Sequence, residues 1–230
     1  MRYNEFNQPV GDVLSDYQAG EKPEATLLQG RFCRLEKLSA AKHGGDLYEV
    51  YAGPLQNWTY LSLNPVADQA ELAQMLGRNE ASVDPYYFAI VDHESGRAVG
   101  SVALQRIDTA NRTAEVGWVV YSDRLKRTRI ATEAQFLLAE YVFETLRYRR
   151  YEWKCDALNE PSRKAALRLG FQYEGTFRQA MVYKGRNRDT AWFSMLDSEW
   201  PQIRQRFVCW LDDANFDENG RQRAALGEIR

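Results

Sequence analysis

Between Asp84 and Ala157 the hydrophobic period changes twice, and that succession restricts the fold more than any other stretch of the chain. Three β-rich runs, Tyr86 to Asp92, Ala98 to Arg106 and Thr113 to Tyr121, are separated by the turn-forming clusters Glu94-Ser95-Gly96 and Asp108-Thr109-Ala110-Asn111, which predicts an antiparallel meander. Residues 129–146 then place Ile130, Ala134, Leu137, Leu138, Tyr141 and Val142 on one stripe of an amphipathic helix, and Tyr151 to Ala157 returns to alternation. Strand, helix, strand is a crossover, so Thr113–Ala157 predicts one parallel pair inside an otherwise antiparallel sheet. Where the crossover splays the sheet, a ligand crevice is expected at the carboxyl end of the strands.

The flanking segments complete an α/β reading. Gly30 to Leu38 alternates polar and apolar and predicts a first strand. Ser39 is placed to cap a helix reaching about Ala52, with Leu47, Val50 and Tyr51 on one face. Residues 53–65, with Pro54, Asn57, Asn64 and Pro65, read as a loop or broken helix, and Asp68 to Leu76 resumes helical spacing. Asn159 to Leu169 predicts a helix closed by Gly170. Strands follow at about Phe171 to Phe177 and Thr190 to Leu196, around a polar loop at 184–189. A last helix begins near Pro201 and carries Ile203, Phe207, Trp210 and Leu211. Residues 1–25, broken by Pro9, Gly11, Gly20 and Pro23, read as an extended arm laid over a main domain at 26–200. Residues 201–230 read as a C-terminal helix and a charged tail, the tail solvated or frayed from Asp212 onward.

Composition excludes several function classes. Among 230 residues, 30 Lys+Arg against 32 Asp+Glu leave a net charge of −2, without the positive surplus a general nucleic-acid binder needs. The longest apolar run, Tyr86 to Val91, is far short of the ~18 residues of a membrane span, and the N-terminus lacks the apolar core of a secretory leader. Cys33, Cys155 and Cys209 are odd in number and scattered, and His43 and His93 form no metal-ligand spacing. The expectation is a cytoplasmic protein with no metal, no membrane contact and no specific nucleic-acid partner.

Several residues could carry chemistry. In Arg124-Leu125-Lys126-Arg127-Thr128 a strand ends and a helix begins, so free N–H groups and the positive dipole end converge where Arg124, Lys126, Arg127 and Arg129 add charge. Such a turn suits a pyrophosphate; the plainer reading is a set of solvated charges at a helix start. Glu115 stands two positions before Gly117 on one face of a strand, where a half-buried carboxylate becomes a useful general base or, alternatively, pairs with Arg106. Asn159 and Ser162 have i, i+3 spacing at a helix start, and Asn159 is a good N-cap by type. Arg188 and Asp189 read as a local ion pair. Trp58, Tyr60, Trp118 and Trp153 line an acceptor pocket or pack in the core. Arg147 to Tyr151 reads as a helix end followed by a strand, and Cys155 as a buried structural thiol.

Four ordered segments, Ala114-Glu115-Val116-Gly117-Trp118-Val119-Val120, Arg129-Ile130-Ala131-Thr132-Glu133-Ala134, Asn159-Glu160-Pro161-Ser162 with Leu169-Gly170-Phe171, and Arg188-Asp189-Thr190-Ala191-Trp192, together resemble the GNAT acyltransferase superfamily. More narrowly they are similar to the branch of ribosomal-protein N-terminal (alanine/serine) acetyltransferases. The resemblance spans roughly residues 25–200 and implies a mixed, mostly antiparallel sheet with splayed central strands. It further implies direct acetyl transfer from acetyl-CoA to a primary amine, with the pantetheine arm in the splay. By that resemblance Glu115 takes the proton from the amine, strand amides at Val119 and Val120 face the donor, and Lys126, Arg127, Thr128, Arg129, Ile130, Ala131 and Thr132 hold the pyrophosphate. Asn159 would contact the pantetheine amide and Ser162 would protonate the departing thiolate. Arg129 departs from the family pattern, which has glycine there, and is expected to turn backbone cradling partly into guanidinium contact. The acceptor is a small-molecule amine or a protein N-terminus, chosen within 39–80 and 177–190. A homodimer through the arm or the last helix, and a non-catalytic acyl-CoA-binding module, are the alternatives carried forward.

Overall fold

The alternation of the meander and the apolar stripe after it generate one sheet with helices on both faces. In the computed structural model, which describes residues 2–229, β1 (Arg2–Tyr3) and β2 (Pro9–Val10) form a small ribbon in the arm. The main sheet contains β3 (Leu27–Gln29), β4 (Cys33–Lys37), β5 (Tyr86–Asp92), β6 (Ala98–Asp108), β7 (Thr113–Tyr121), β8 (Arg150–Asp156), β9 (Gln172–Tyr183) and β10 (Arg186–Leu196). Their order is β3-β4-β5-β6-β7-β8-β10-β9, and only β7 with β8 is parallel among these pairs. The helices are α1 (Ala40–Tyr51), α2 (Gln69–Ala81), α3 (Arg129–Glu140), α4 (Glu160–Arg168) and α5 (Trp200–Leu211).

Each face of the sheet has its own core. Leu47 and Tyr51 of α1 and Leu72 and Leu76 of α2 bury against Tyr87, Ala89, Ala103 and Val120. On the other face Phe136 and Leu138 of α3 and Phe207 of α5 close over Phe88, Ile90, Val102 and Val116. The predicted mixed sheet with one crossover is the observed one.

The crossover leaves the pair unfinished. β7 and β8 are in register from Thr113 opposite Arg150 to Val116 opposite Trp153, and no further. On its other side β7 pairs Val120 with Ser101 and Gly117 with Ala103, so Trp118 and Val119 stand opposite Val102 alone in a bulge, with Trp118 at φ 50°. A bulge bends its strand and raises the local twist. The β8-facing edge of Gly117 to Tyr121 therefore runs free of a strand partner.

Several segments differ from the sequence reading. The short edge strand β3 was not foreseen. The helix read over 129–146 is α only to Glu140 and continues as a π turn, Tyr141–Thr145; an apolar stripe does not distinguish i→i+4 from i→i+5 bonding. Within it the Tyr141 hydroxyl accepts from the amides of Glu24 and Ala25, which holds the arm's end. The polar loop read at 184–189 shrinks to Lys184-Gly185, both at positive φ as a tight hairpin turn demands. Its polar flanks are strand: β9 is the outermost strand and exposed along nearly all its length.

The tail also contradicts the frayed reading. Phe216 packs edge-on against Trp210 at 5.1 Å, Leu226 is 2% exposed, and the Asn215 carboxamide donates to the carbonyls of Trp210 and Ala224. Few apolar side chains are present, but those few close on α5, and one side-chain amide replaces regular backbone pairing. Leu226→Ala is expected to lower the unfolding free energy by about 2–4 kcal/mol, read by chemical denaturation, whereas the exposed Leu158→Ala changes it by less than about 0.5 kcal/mol. A loss that small for Leu226→Ala would restore the frayed tail.

Candidate active site

Glu115 lies just before the point where β7 and β8 part. It is 1% exposed, accepts from Gln105 Nε2 at 2.6 Å, and sits 2.9 Å from Lys154 Nζ and 3.4 Å from Arg106 Nε. The expected Arg106 pair thus exists, yet the nearer cation comes from β8. Gly117 explains the arrangement: a Cβ there would stand 2.1 Å from Gln105 Nε2, so the glycine makes room for the amide that orients the carboxylate. Burial pushes the Glu115 carboxyl above its ordinary range; the Lys154 ammonium and the Gln105 hydrogen bond offset part of that rise. Lys154 and Arg106 both lie over the Trp192 ring, each at 5.1 Å, which fixes them on the face that Glu115 occupies.

Ser162 approaches from the opposite face. Asn159 caps α4 by accepting from the Ser162 amide at 3.2 Å, as its type predicts. The Ser162 hydroxyl oxygen accepts from Trp153 Nε1 at 3.0 Å, so its own proton is available to donate, with the Cys155 sulfur as a hydrogen-bond neighbour. Cys155 beside it is buried, as read, and burial raises its thiol pKa, the Ser162 hydrogen bond offsetting part of that rise. Of the two histidines, His43 is buried against Glu36 at 2.9 Å in the β4–α1 region, and His93 lies 3.0 Å from Gln29 Nε2, neither beside Glu115.

The turn before α3 divides what the sequence reading grouped together. Lys126 donates to Asn57 Oδ1 and Asp123 Oδ1, both at 2.7 Å, and faces a cleft of about 160 Å³ shared with Val119, Val120, Tyr121 and Trp58. Arg127, Thr128 and Arg129 face a different cavity, of about 520 Å³, whose far wall is the tail. Thr128 is the N-cap, accepting from the Ala131 amide at 3.2 Å, and Arg127 holds φ 64°. Ile130 and Ala131 pack against the core, while buried Thr132 accepts from Arg168 at 3.2 Å. The Arg129 guanidinium turns to the tail, 2.8 Å from Asp213 Oδ1 and 3.4 Å over the Phe216 ring, rather than over the turn's backbone.

Sequence reasoning missed three contributors: Gln105, Lys154 and Glu133. Buried Glu133 accepts from the amides of Arg31, Phe32 and Cys33 at 2.8, 2.7 and 2.7 Å, pinning α3 to the β3–β4 turn. A lone carboxylate within an otherwise apolar helix stripe was the available signal. Among the aromatics, Trp58 is buried and lines the cleft, Trp118 leans on Tyr87, Trp153 packs on Phe171, and Tyr60 lines neither cavity. The expected Arg188–Asp189 pair does not form: Arg188 donates to Thr190 Oγ1, and Asp189 accepts from Gln179 and Asn187. Among the described residues no group of three or more His, Cys, Asp or Glu is placed to hold a metal, and no helix is long and apolar enough to cross a membrane.

The chain that carries this site is similar to known proteins over most of its length. The model of the acetyltransferase (GNAT) domain matches residues 34–172. A crystal structure of a GCN5-related N-acetyltransferase from Brucella melitensis superposes with TM-score 0.92 at 47% identity, covering 94% of this chain and 99% of that one. N-acetyltransferase p20 of Bacillus licheniformis is 31% identical over 144 residues, 61% of this chain and 80% of that protein. The ribosomal-protein-serine acetyltransferase of Escherichia coli K12 is 33% identical over 82 residues, 36% of this chain and 45% of that protein. With the family region running from β4 to the end of α4, across the splay and both helix starts, the chain belongs to the GNAT acetyltransferase family.

Proposed function

We propose that the chain transfers an acetyl group from acetyl-CoA to a primary amine by direct attack, within 26–200, with Glu115 as general base and Ser162 as general acid. The observation that carries this reading is the buried Glu115 carboxylate beside the unpaired β7 edge. The β8-facing edge of Gly117 to Tyr121 offers an extended pantetheine the backbone partners that β8 gives up, and the α3 start offers Arg127 and dipole charge to its phosphates. Free Cys33, Cys155 and Cys209 fit a reducing, cytoplasmic setting.

The residues divide the work as follows. Glu115 removes a proton from the acceptor ammonium, directly or through water, so the amine lone pair can attack the thioester carbonyl carbon. Strand amides at Val119 and Val120 face the carbonyl oxygen as negative charge develops there. As the C–N bond forms and the C–S bond breaks, the nitrogen releases its second proton to solvent, Ser162 gives its own proton to the departing thiolate, and solvent returns one to the serine. Thiols are acidic enough, with an unperturbed pKa of ~8.5, that this last help accelerates rather than enables departure. The similarity to an enzyme named for ribosomal-protein serine makes a protein N-terminus the first acceptor class to test, ahead of small amines.

Glu115→Gln is expected to lower kcat by about 10²-fold or more with little change in affinity for acetyl-CoA. Because burial raises the Glu115 pKa and only the ionised carboxylate accepts a proton, native kcat/KM should fall as pH drops through a value above the ordinary ~4.3 of a glutamate. Thiol release across a pH series measures both; an acid limb unchanged in Glu115→Gln would remove Glu115 from the mechanism.

Ser162→Ala should reduce turnover while leaving acetyl-CoA binding intact in calorimetry. Complete loss of binding would make Ser162 a structural residue. Binding without thiol release for any amine, in the native chain, would favour a non-catalytic acyl-CoA-binding module.

A further inference from the structure

Arg129, which stands where the helix-start motif of the family has glycine, meets a C-terminal segment that lies beyond the matched region. Arg129 replaces the glycine, and residues 213–222 follow α5, well past residue 172. The two are joined by the Arg129 ion pair with Asp213 at 2.8 Å, by the guanidinium 3.4 Å over Phe216, and by a second bridge from Arg31 to Asp213. Trp210 Nε1 donates to Gln222 at 2.9 Å, and a Phe216–Gln222 bridge sets the turn between them. The tail is therefore held in a defined shape against the start of α3.

Between them lies the cavity of about 520 Å³. Arg127, Arg129 and Arg221 all line it, no carboxylate does, and Trp210 and Phe216 form its floor. Of the three guanidinium groups only Arg129 has a carboxylate partner among the described residues; Arg127 and Arg221 have none within ion-pair distance. A concave site with two uncompensated cations, converging from elements more than ninety residues apart, selects a compact, multiply charged anion.

We propose that the tail forms the outer wall of the donor site and that Arg221, together with Arg127, binds the terminal 3′-phosphomonoester of acetyl-CoA. The inference rests on the acetyl-CoA reading above and adds a specificity-determining residue from outside the family region. A phosphomonoester carries close to two negative charges at neutral pH, against one for each phosphate of a diester linkage, so the unpaired cations distinguish it from the rest of the donor. Arg221 is exposed and lines the cavity, so its substitution leaves the tail's packing untouched.

Calorimetric titration with acetyl-CoA and with 3′-dephospho-acetyl-CoA tests this. The native chain should prefer acetyl-CoA, and Arg221→Ala should erase roughly fivefold of that preference by weakening acetyl-CoA alone, the size expected for one exposed charge contact. Arg221→Lys should keep part of it, and Arg223→Ala, on the same tail but outside the cavity, should keep all of it. If the native chain binds acetyl-CoA but Arg221→Ala leaves the ratio of the two affinities unchanged, the inference is wrong and the donor reading stands. If the native chain binds neither compound, the donor reading falls and takes the inference with it.

Discussion

Everything distinctive in this molecule follows from a parallel strand pair that stops halfway. A hydrogen-bonded pair is stable wherever both backbones can stay 4.7–4.9 Å apart, and β7 and β8 hold that spacing only from Thr113 to Val116. Beyond it, the bulge at Trp118 and Val119 bends β7 toward β6, and β8 keeps to β10. Each backbone group so released would cost about 1–3 kcal/mol if it were buried without a partner. The gap therefore has to stay open to water or to a molecule that offers the same donors and acceptors. An extended chain of amides does this, and the proposed pantetheine arm is such a chain.

Two buried carboxylates then give the gap its chemistry, by opposite means. Glu133 accepts from three successive backbone amides and fixes where α3 begins, which in turn places the Thr128 cap and the cations around it. Glu115 accepts from one side-chain amide and lies beside the flexible heads of Lys154 and Arg106. The first is saturated and structural. The second is underserved for its burial, and burial raises its proton affinity above that of an ordinary glutamate.

Much of the sheet was legible in the sequence because its central strands are bounded by Gly, Asn and Asp turns and its helices carry apolar stripes. β5 to β8 and all five α-helices follow from those signals. What escaped was structure whose signal is not periodic. The turn-proximal ends of the β9–β10 hairpin are polar and exposed, so they look like loop although the rest of both strands was legible; the tail folds through Asn215 and a few aromatic contacts; the π turn repeats the stripe of the helix before it. At the site, the chain order pointed to Glu115, Asn159 and Ser162. The identity of their partners depended on which strands lie side by side: Lys154 comes to Glu115 from β8 and Gln105 from β6, and neither neighbour is implied by spacing along the chain. The same is true of Arg129, whose guanidinium found a carboxylate in the tail.

Amide hydrogen exchange across β7, with and without acetyl-CoA, tests the central claim most directly. The account expects the amides of Gly117 to Tyr121 to slow on binding while Thr113 to Val116, already paired on both sides, change little. Protection that appears elsewhere, with Gly117 to Tyr121 exchanging as before, would contradict it.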